Sequence, residues 1–176
     1  ARTAEFTSFA QKAADVALKS GAADVEALKA ADFGGMTVAD ALTALIAKVG
    51  ENMNLRRLVR VTGDVLGIYV HSNRRIGVVT VLNGGTEDLA KDIAMHVCAN
   101  KPDFVHPEDV SAEVVEKERQ IQIEIAVKSG KPHAIAEKWL KAALKKFTGE
   151  VSLTGQPFVK DPSVTVGELL KSHNAD

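Results

Sequence analysis

SAEVVEKERQIQIEIAVKSGKPHAIAEKWLKAALKKF, residues 111–147, is the stretch whose reading decides the fold. Two helical patterns flank Gly130-Lys131-Pro132: a glycine suited to closing one helix, then a proline suited to the first turn of the next, where its missing N–H costs nothing. Ser111 supplies the N-cap of the first arm. On that arm Val114, Ile121 and Ile125 are expected to face inward among Glu113, Glu116, Lys117, Glu118 and Arg119. On the return arm Ile135, Trp139 and Ala142 share one face, and Leu140, Leu144 and Phe147 share a neighbouring one. That is more apolar surface than one partner helix needs, so part of it should meet another chain or the rest of the domain. A protruding antiparallel hairpin of this kind suits a protein that grips another macromolecule.

Beyond the hairpin, FTGEVSLTGQPF at 147–158 is punctuated by glycines and reads as irregular. A last helix is expected over 166–172, after which Ser172 to Asp176 stop without a closing element. The first residue is Ala1 and not Met, so the chain is expected to be a piece of a longer protein.

Ahead of the hairpin, Thr86 followed by Glu87 and Asp88 caps a helix predicted over 88–99, which presents Leu89, Ile93 and Val97 to a sheet. That sheet is read as a three-stranded antiparallel meander over 57–61, 65–71 and 76–82. Gly63-Asp64 and Ser72-Asn73-Arg74-Arg75 form its breaks, and Asn83-Gly84-Gly85 its end. Three helices come first, over 4–19 with Gly21 as its stop, over 25–30, and from a Thr37-Val-Ala-Asp40 cap to Val49 ahead of Gly50. The fold class is therefore α+β, a small antiparallel β-sheet packed with helices plus the protruding hairpin.

Composition narrows the function. With 22 basic and 23 acidic residues and a net charge of −1, no bulk field draws the chain to nucleic acid or anionic lipid. Hydrophobic content of 45% and charged content of 26% are globular values, and no apolar run is long enough to span a bilayer. Cys98 is the single cysteine; it rules out an internal disulfide framework, favours a reducing, cytoplasmic setting, and reads as a small core residue. His71, His96, His106, His133 and His173 never fall at metal-ligand spacing, so no metal is expected. Gly34-Gly35 and Gly84-Gly85 lack a phosphate-loop pattern and read as turns, and no nucleophile sits in a recognisable elbow. No catalytic residue and no cofactor are expected. Arg56, Arg57, Arg60, Arg74 and Arg75 surround the sheet with only Tyr69 as an aromatic neighbour, which favours a solvated edge over a nucleic-acid patch. His71, at a strand end beside the Ser72-Asn73 turn, is expected to be exposed.

Six blocks, in order, carry a resemblance: Val49-Gly-Glu-Asn-Met-Asn-Leu-Arg-Arg57; Gly63-Asp-Val-Leu-Gly67; His71 ahead of Arg75-Ile-Gly-Val78; Ile93-Ala-Met-His-Val97; Asp109-Val-Ser-Ala-Glu-Val-Val-Glu-Lys-Glu118; and the run from Phe147 to Phe158. Together they closely resemble the core of bacterial elongation factor Ts, across essentially the whole chain. The resemblance implies a guanine nucleotide exchange factor that binds elongation factor Tu in its GDP-bound and nucleotide-free states, loosens GDP and its magnesium ion, and makes or breaks no covalent bond. It implies partner contacts at Val49, Gly50, His71, Phe158 and Val159. The hairpin, with Ile121, Ile125 and Trp139, would correspond to a coiled coil serving contacts with the GTPase or between two copies. Residues 1–54 would be the helical remainder of an N-terminal core subdomain, 55–106 with 150–176 a C-terminal core subdomain, and 107–149 the hairpin insertion.

The departures are specific. The family's Thr-Asp-Phe-Val wedge would directly precede Ala1-Arg2, and an N-terminal helical domain, two strands before this point and a C-terminal strand after Asp176 are also expected outside the sequence. The Ser72-Asn73-Arg74 turn is one residue longer than the common form. The chain is therefore expected to dock but to be impaired in exchange. A different class of function, a helical-hairpin scaffold that binds partners without releasing nucleotide, stays open alongside.

Overall fold

The computed structural model describes residues 3–176; Ala1 and Arg2, which the resemblance places next to the wedge, lie outside the described residues. Contacts divide the chain into two units, residues 1–61 and residues 62–176.

The first unit holds α1 (Ala4–Ser20), α2 (Val25–Ala30) and α3 (Val38–Val49). Each begins where a short polar side chain accepts a backbone N–H: Thr3 from Phe6, Asp24 from Ala27, Thr37 from Asp40. Ala17, Ala22, Leu28 and Val38 form the buried core, with Phe9, Phe33, Leu55 and Leu58 packed around it. Lys12 lies 4.3 Å from the Phe33 ring centre and donates to the Phe33 carbonyl at 3.0 Å.

The strand expected over 57–61 is not formed; this segment is irregular. Leu55 and Leu58 are drawn onto the helical core, and Arg60 donates to the Ala17 carbonyl at 2.8 Å. These attachments make the segment a strap on the first unit. The sheet that follows accordingly has two strands.

In the second unit β1 (Val65–Val70) and β2 (Gly77–Leu82) pair antiparallel, with Val65 opposite Leu82 and Tyr69 opposite Val78. α4 (Glu87–Asn100), capped by Thr86, lies on one face. A Cβ on Gly67 would sit 2.1 Å from the Ala90 carbonyl carbon, so only glycine permits this approach. Beside it the Thr80 hydroxyl donates to the Ala90 carbonyl at 2.6 Å. Leu82, Leu89, Ala90 and Ile93 join Phe158, Val166 and Leu170 in one core. Cys98 is buried, as its place in the apolar pattern predicts.

The hairpin arms are α5 (Ala112–Lys128) and α6 (His133–Glu150). Gly130 turns the chain with φ at +65°, and Pro132 serves as the N-cap residue of α6, one place before its first turn. The two feet are laced together: Leu153 N–H donates to Phe104 O at 2.8 Å and Thr154 N–H to Val105 O at 3.0 Å.

The expected inward face of α5 is displaced. Ile121 and Ile125 are 52% and 46% exposed, whereas Ala126 is buried and Glu118 and Gln122 line a groove with Trp139, Ala143 and Phe147. The cause is helical phase. The line 118–122–126 faces the partner arm, and its neighbours 121 and 125 are rotated by about 100°. Ile135 is likewise turned outward.

After α6, the short strands β3 (Pro157–Phe158) and β4 (Asp161–Thr165) pair antiparallel, and α7 (Val166–Ser172) follows behind a Thr165–Glu168 capping box. No further element follows α7, and the last residues are tied down by backbone bonds. Asp176 and Asn83 exchange backbone bonds, with Asn83 N–H to Asp176 O at 2.7 Å and the reverse bond at 3.0 Å.

Candidate functional site

In the second unit, the end of β1, one face of α4 and the β3–β4 turn meet at a shallow polar groove lined by Tyr69, Asp88, Lys91, Asp92, Met95 and Lys160. Tyr69 reaches the groove because β1 alternates: Val65, Gly67 and Tyr69 turn toward α4, while Ile68 and Val70 turn away and are exposed. Lys91, Asp92 and Met95 come from the first half of α4.

One border is the β1–β2 loop. His71 N–H donates to Ile76 O at 2.9 Å, Arg74 N–H to His71 O at 2.8 Å, and Arg75 N–H to Asn73 Oδ1 at 2.9 Å. Arg74 takes φ of +56°, the left-handed residue that closes the turn. His71 is half-buried, where the sequence predicts an exposed residue. The Tyr69 hydroxyl, 3.1 Å from Nδ1, holds the ring back toward the strand.

The other border is the β3–β4 turn. Phe158 is 5% exposed and its ring stacks on His96, with centres 6.0 Å apart and planes at 22°. Its ring belongs to the core, and what it carries to the surface is the adjacent Val159, 39% exposed. Lys160 pairs with Asp92 at 2.7 Å, which brings this turn onto α4. Ser163 donates to Asp161 Oδ1 from both Oγ, at 2.5 Å, and N–H, at 3.2 Å. These bonds, the hydroxyl's foremost, hold the Asp161 carboxyl below its ordinary range.

Two of the expected residues thus adjoin the groove lining: His71 is bonded to Tyr69, and Val159 precedes Lys160. Val49 and Gly50 lie in the first unit, at the end of α3. Gly50 is its left-handed C-cap, φ +75°, donating to Ile46 O at 2.9 Å. Trp139 sits half-buried in the hairpin, with Lys131 Nζ 5.5 Å from its ring centre.

Sequence reasoning missed Tyr69, Asp92, Lys160 and the fully buried His96. For His96 a signal existed: it extends the Leu89–Ile93 stripe by three residues, placing an imidazole on the apolar face. Among the described residues no group of three His, Cys, Asp or Glu side chains could hold a metal ion, and no helix is long and apolar enough to cross a membrane. The five arginines near the sheet are exposed and divide between the two units.

A family model described as Elongation factor TS matches residues 1–176. The chain is 66% identical over 177 residues to elongation factor Ts of Aeromonas salmonicida, with all of this chain and 60% of the relative covered. It is 60% identical over 177 residues to that of Tolumonas auensis and 56% identical over 176 residues to that of Escherichia coli, with the same coverage in each case. The chain therefore spans about 60% of the length of the curated relatives it matches.

Proposed function

Because the chain belongs to the elongation factor Ts family, we propose that it is the docking core of a guanine nucleotide exchange factor for elongation factor Tu, acting in cytoplasmic translation. The observation that supports this reading is the groove whose lining includes Tyr69, bonded to His71, and Lys160, next to Val159. Val49 and Gly50 add a contact from the first unit, and Phe158 supports Val159 from within.

The physical task is differential binding and not covalent chemistry. A partner surface that grips the nucleotide-poor conformation of the GTPase more tightly than the GDP-bound one lowers GDP affinity. By linkage, GDP must weaken the grip by the same factor. Coupling energies of this type are typically about 1–3 kcal/mol, or roughly 5–150-fold in affinity. Residues 1–176 taken alone are proposed to dock but to be impaired in GDP release relative to a chain that carries the Thr-Asp-Phe-Val segment.

Stopped-flow release of labelled GDP from elongation factor Tu tests this directly. The expected outcome is measurable acceleration well below that of the same protein extended through a Thr-Asp-Phe-Val segment. Equal rates would remove the dependence on that segment.

The outward Ile121, Ile125 and Ile135 favour a second reading for the hairpin, as a surface for pairing with another copy or for scaffolding without exchange. Sedimentation of the chain alongside an Ile121→Lys, Ile125→Lys variant separates the two. A dimer abolished by the variant supports the pairing role, and a strict monomer at high concentration removes it.

A further inference from the structure

We propose that His96 is the positioning residue that presents Val159 to the partner, an inference that rests on the exchange-factor reading for its consequence but not for its geometry. His96 is 0% exposed, and its two ring nitrogens are committed to two residues on either side of β3. The backbone N–H of Val159 can only donate, so Nδ1, at 3.1 Å, accepts. The ring proton then sits on Nε2, which donates to Gln156 Oε1 at 2.9 Å. This orients the Gln156 amide, whose Nε2 donates to the carbonyl of Glu150 at 2.8 Å. The Asn100 amide nitrogen lies 3.3 Å from each ring nitrogen and closes the rim of the site.

Three bonds therefore run in one sense from the turn to the foot of the hairpin: Val159 to His96, His96 to Gln156, Gln156 to the last residue of α6. The donor at each step fixes the acceptor at the next, so the relay has one tautomer and one amide orientation. Its effect falls on Val159. With its N–H held from inside and the neighbouring Phe158 ring packed on the imidazole, the backbone has one orientation in which to offer the Val159 side chain. A rigid contact loses less entropy on binding than one that must be ordered.

Two variants separate positioning from mere core filling. In His96→Asn the Oδ1 can stand near the place of Nδ1 and accept from Val159, but the side chain falls short of Gln156. In His96→Gln the amide nitrogen can reach toward Gln156 while Val159 loses its acceptor. Both lose the stacked ring, so melting temperatures should fall alike. Hydrogen exchange at the Val159 amide should stay near the unsubstituted rate in His96→Asn and rise about tenfold in His96→Gln, the cost of one unpaired, poorly solvated donor. Titration with elongation factor Tu should follow the same order, nearly unchanged for His96→Asn and about tenfold weaker for His96→Gln.

Equal behaviour of the two variants in exchange and binding, or losses that simply track melting temperature, would overturn the proposal. If the unsubstituted chain does not bind elongation factor Tu, the exchange-factor reading falls, while the amide contrast still decides the positioning role. Nitrogen-15 shifts of the unsubstituted chain give a check that needs no variant. A His96 ring carrying its proton on Nε2 is expected, and one carrying it on Nδ1 would refute the relay.

Discussion

The two borders of the groove are held in opposite ways. The His71 loop closes on itself, through bonds among Tyr69, His71, Asn73, Arg74, Arg75 and Ile76. The Val159 turn is held from far away in the chain, by His96 at a separation of 63 residues and through Lys160 by Asp92 at 68. A self-closed loop survives or fails by its own residues. A turn held at long range is only as well placed as the core that carries its anchors. The two borders should therefore respond differently to damage.

The strongest test strikes beneath both. Gly67→Ala places a methyl 2.1 Å from the Ala90 carbonyl carbon, so β1 and α4 must separate. A loss of about 3 kcal/mol or more in denaturant unfolding is expected, with both borders loosened together. A wild-type unfolding midpoint would show that the close approach is not required.

Tyr69→Phe is a smaller and more selective probe. It removes the hydroxyl partner of His71 and should cost about 1 kcal/mol, with faster amide exchange over 71–76 and none at 158–160. Equal changes at both borders would abolish the distinction drawn between them.

The smallest effect expected is a pH response confined to the Val159 side. The Asp161 carboxyl is held below its ordinary value by the Ser163 bonds, so the unfolded chain takes up a proton before the folded one does. The stabilisation is present above the unfolded carboxylate value, near pH 4, and disappears as pH falls through the lower native one. Asp161→Asn should remove that acid response of the β3–β4 turn, followed by proton NMR, and leave the His71 loop unaffected. A response persisting in the variant would place its origin elsewhere.

The same contrast explains what could be read from sequence. Helix ends were legible because a cap is local: Thr37, Thr86 and Ser111 each satisfy an N–H three residues on, and Gly21, Gly50 and Gly130 supply the left-handed residue that closes a turn. The hairpin was legible for the same reason. Its internal phase was not, because the alternatives 121–125 and 118–122–126 differ by one residue, and only the facing arm selects between them. Residues 57–61 have a strand's composition, yet Arg60 and Leu58 find partners in the helical unit first. β3 and β4 were hidden because Pro157 and Pro162 lie within them and each strand is short. For the site, His71, Val159, Val49 and Gly50 came from a family likeness. His96 needed the fold, because what distinguishes it is a bond to a residue 63 positions away.

The central claim is that the surface bordered by His71 and Val159 engages a GTPase whose nucleotide opposes the binding. Calorimetric titration of the 176-residue chain into elongation factor Tu, first freed of nucleotide and then with excess GDP, measures both the contact and the coupling. The account predicts binding that GDP weakens by roughly 5–150-fold and that Val159→Asp disrupts. Absence of binding, or binding indifferent to GDP, would contradict it.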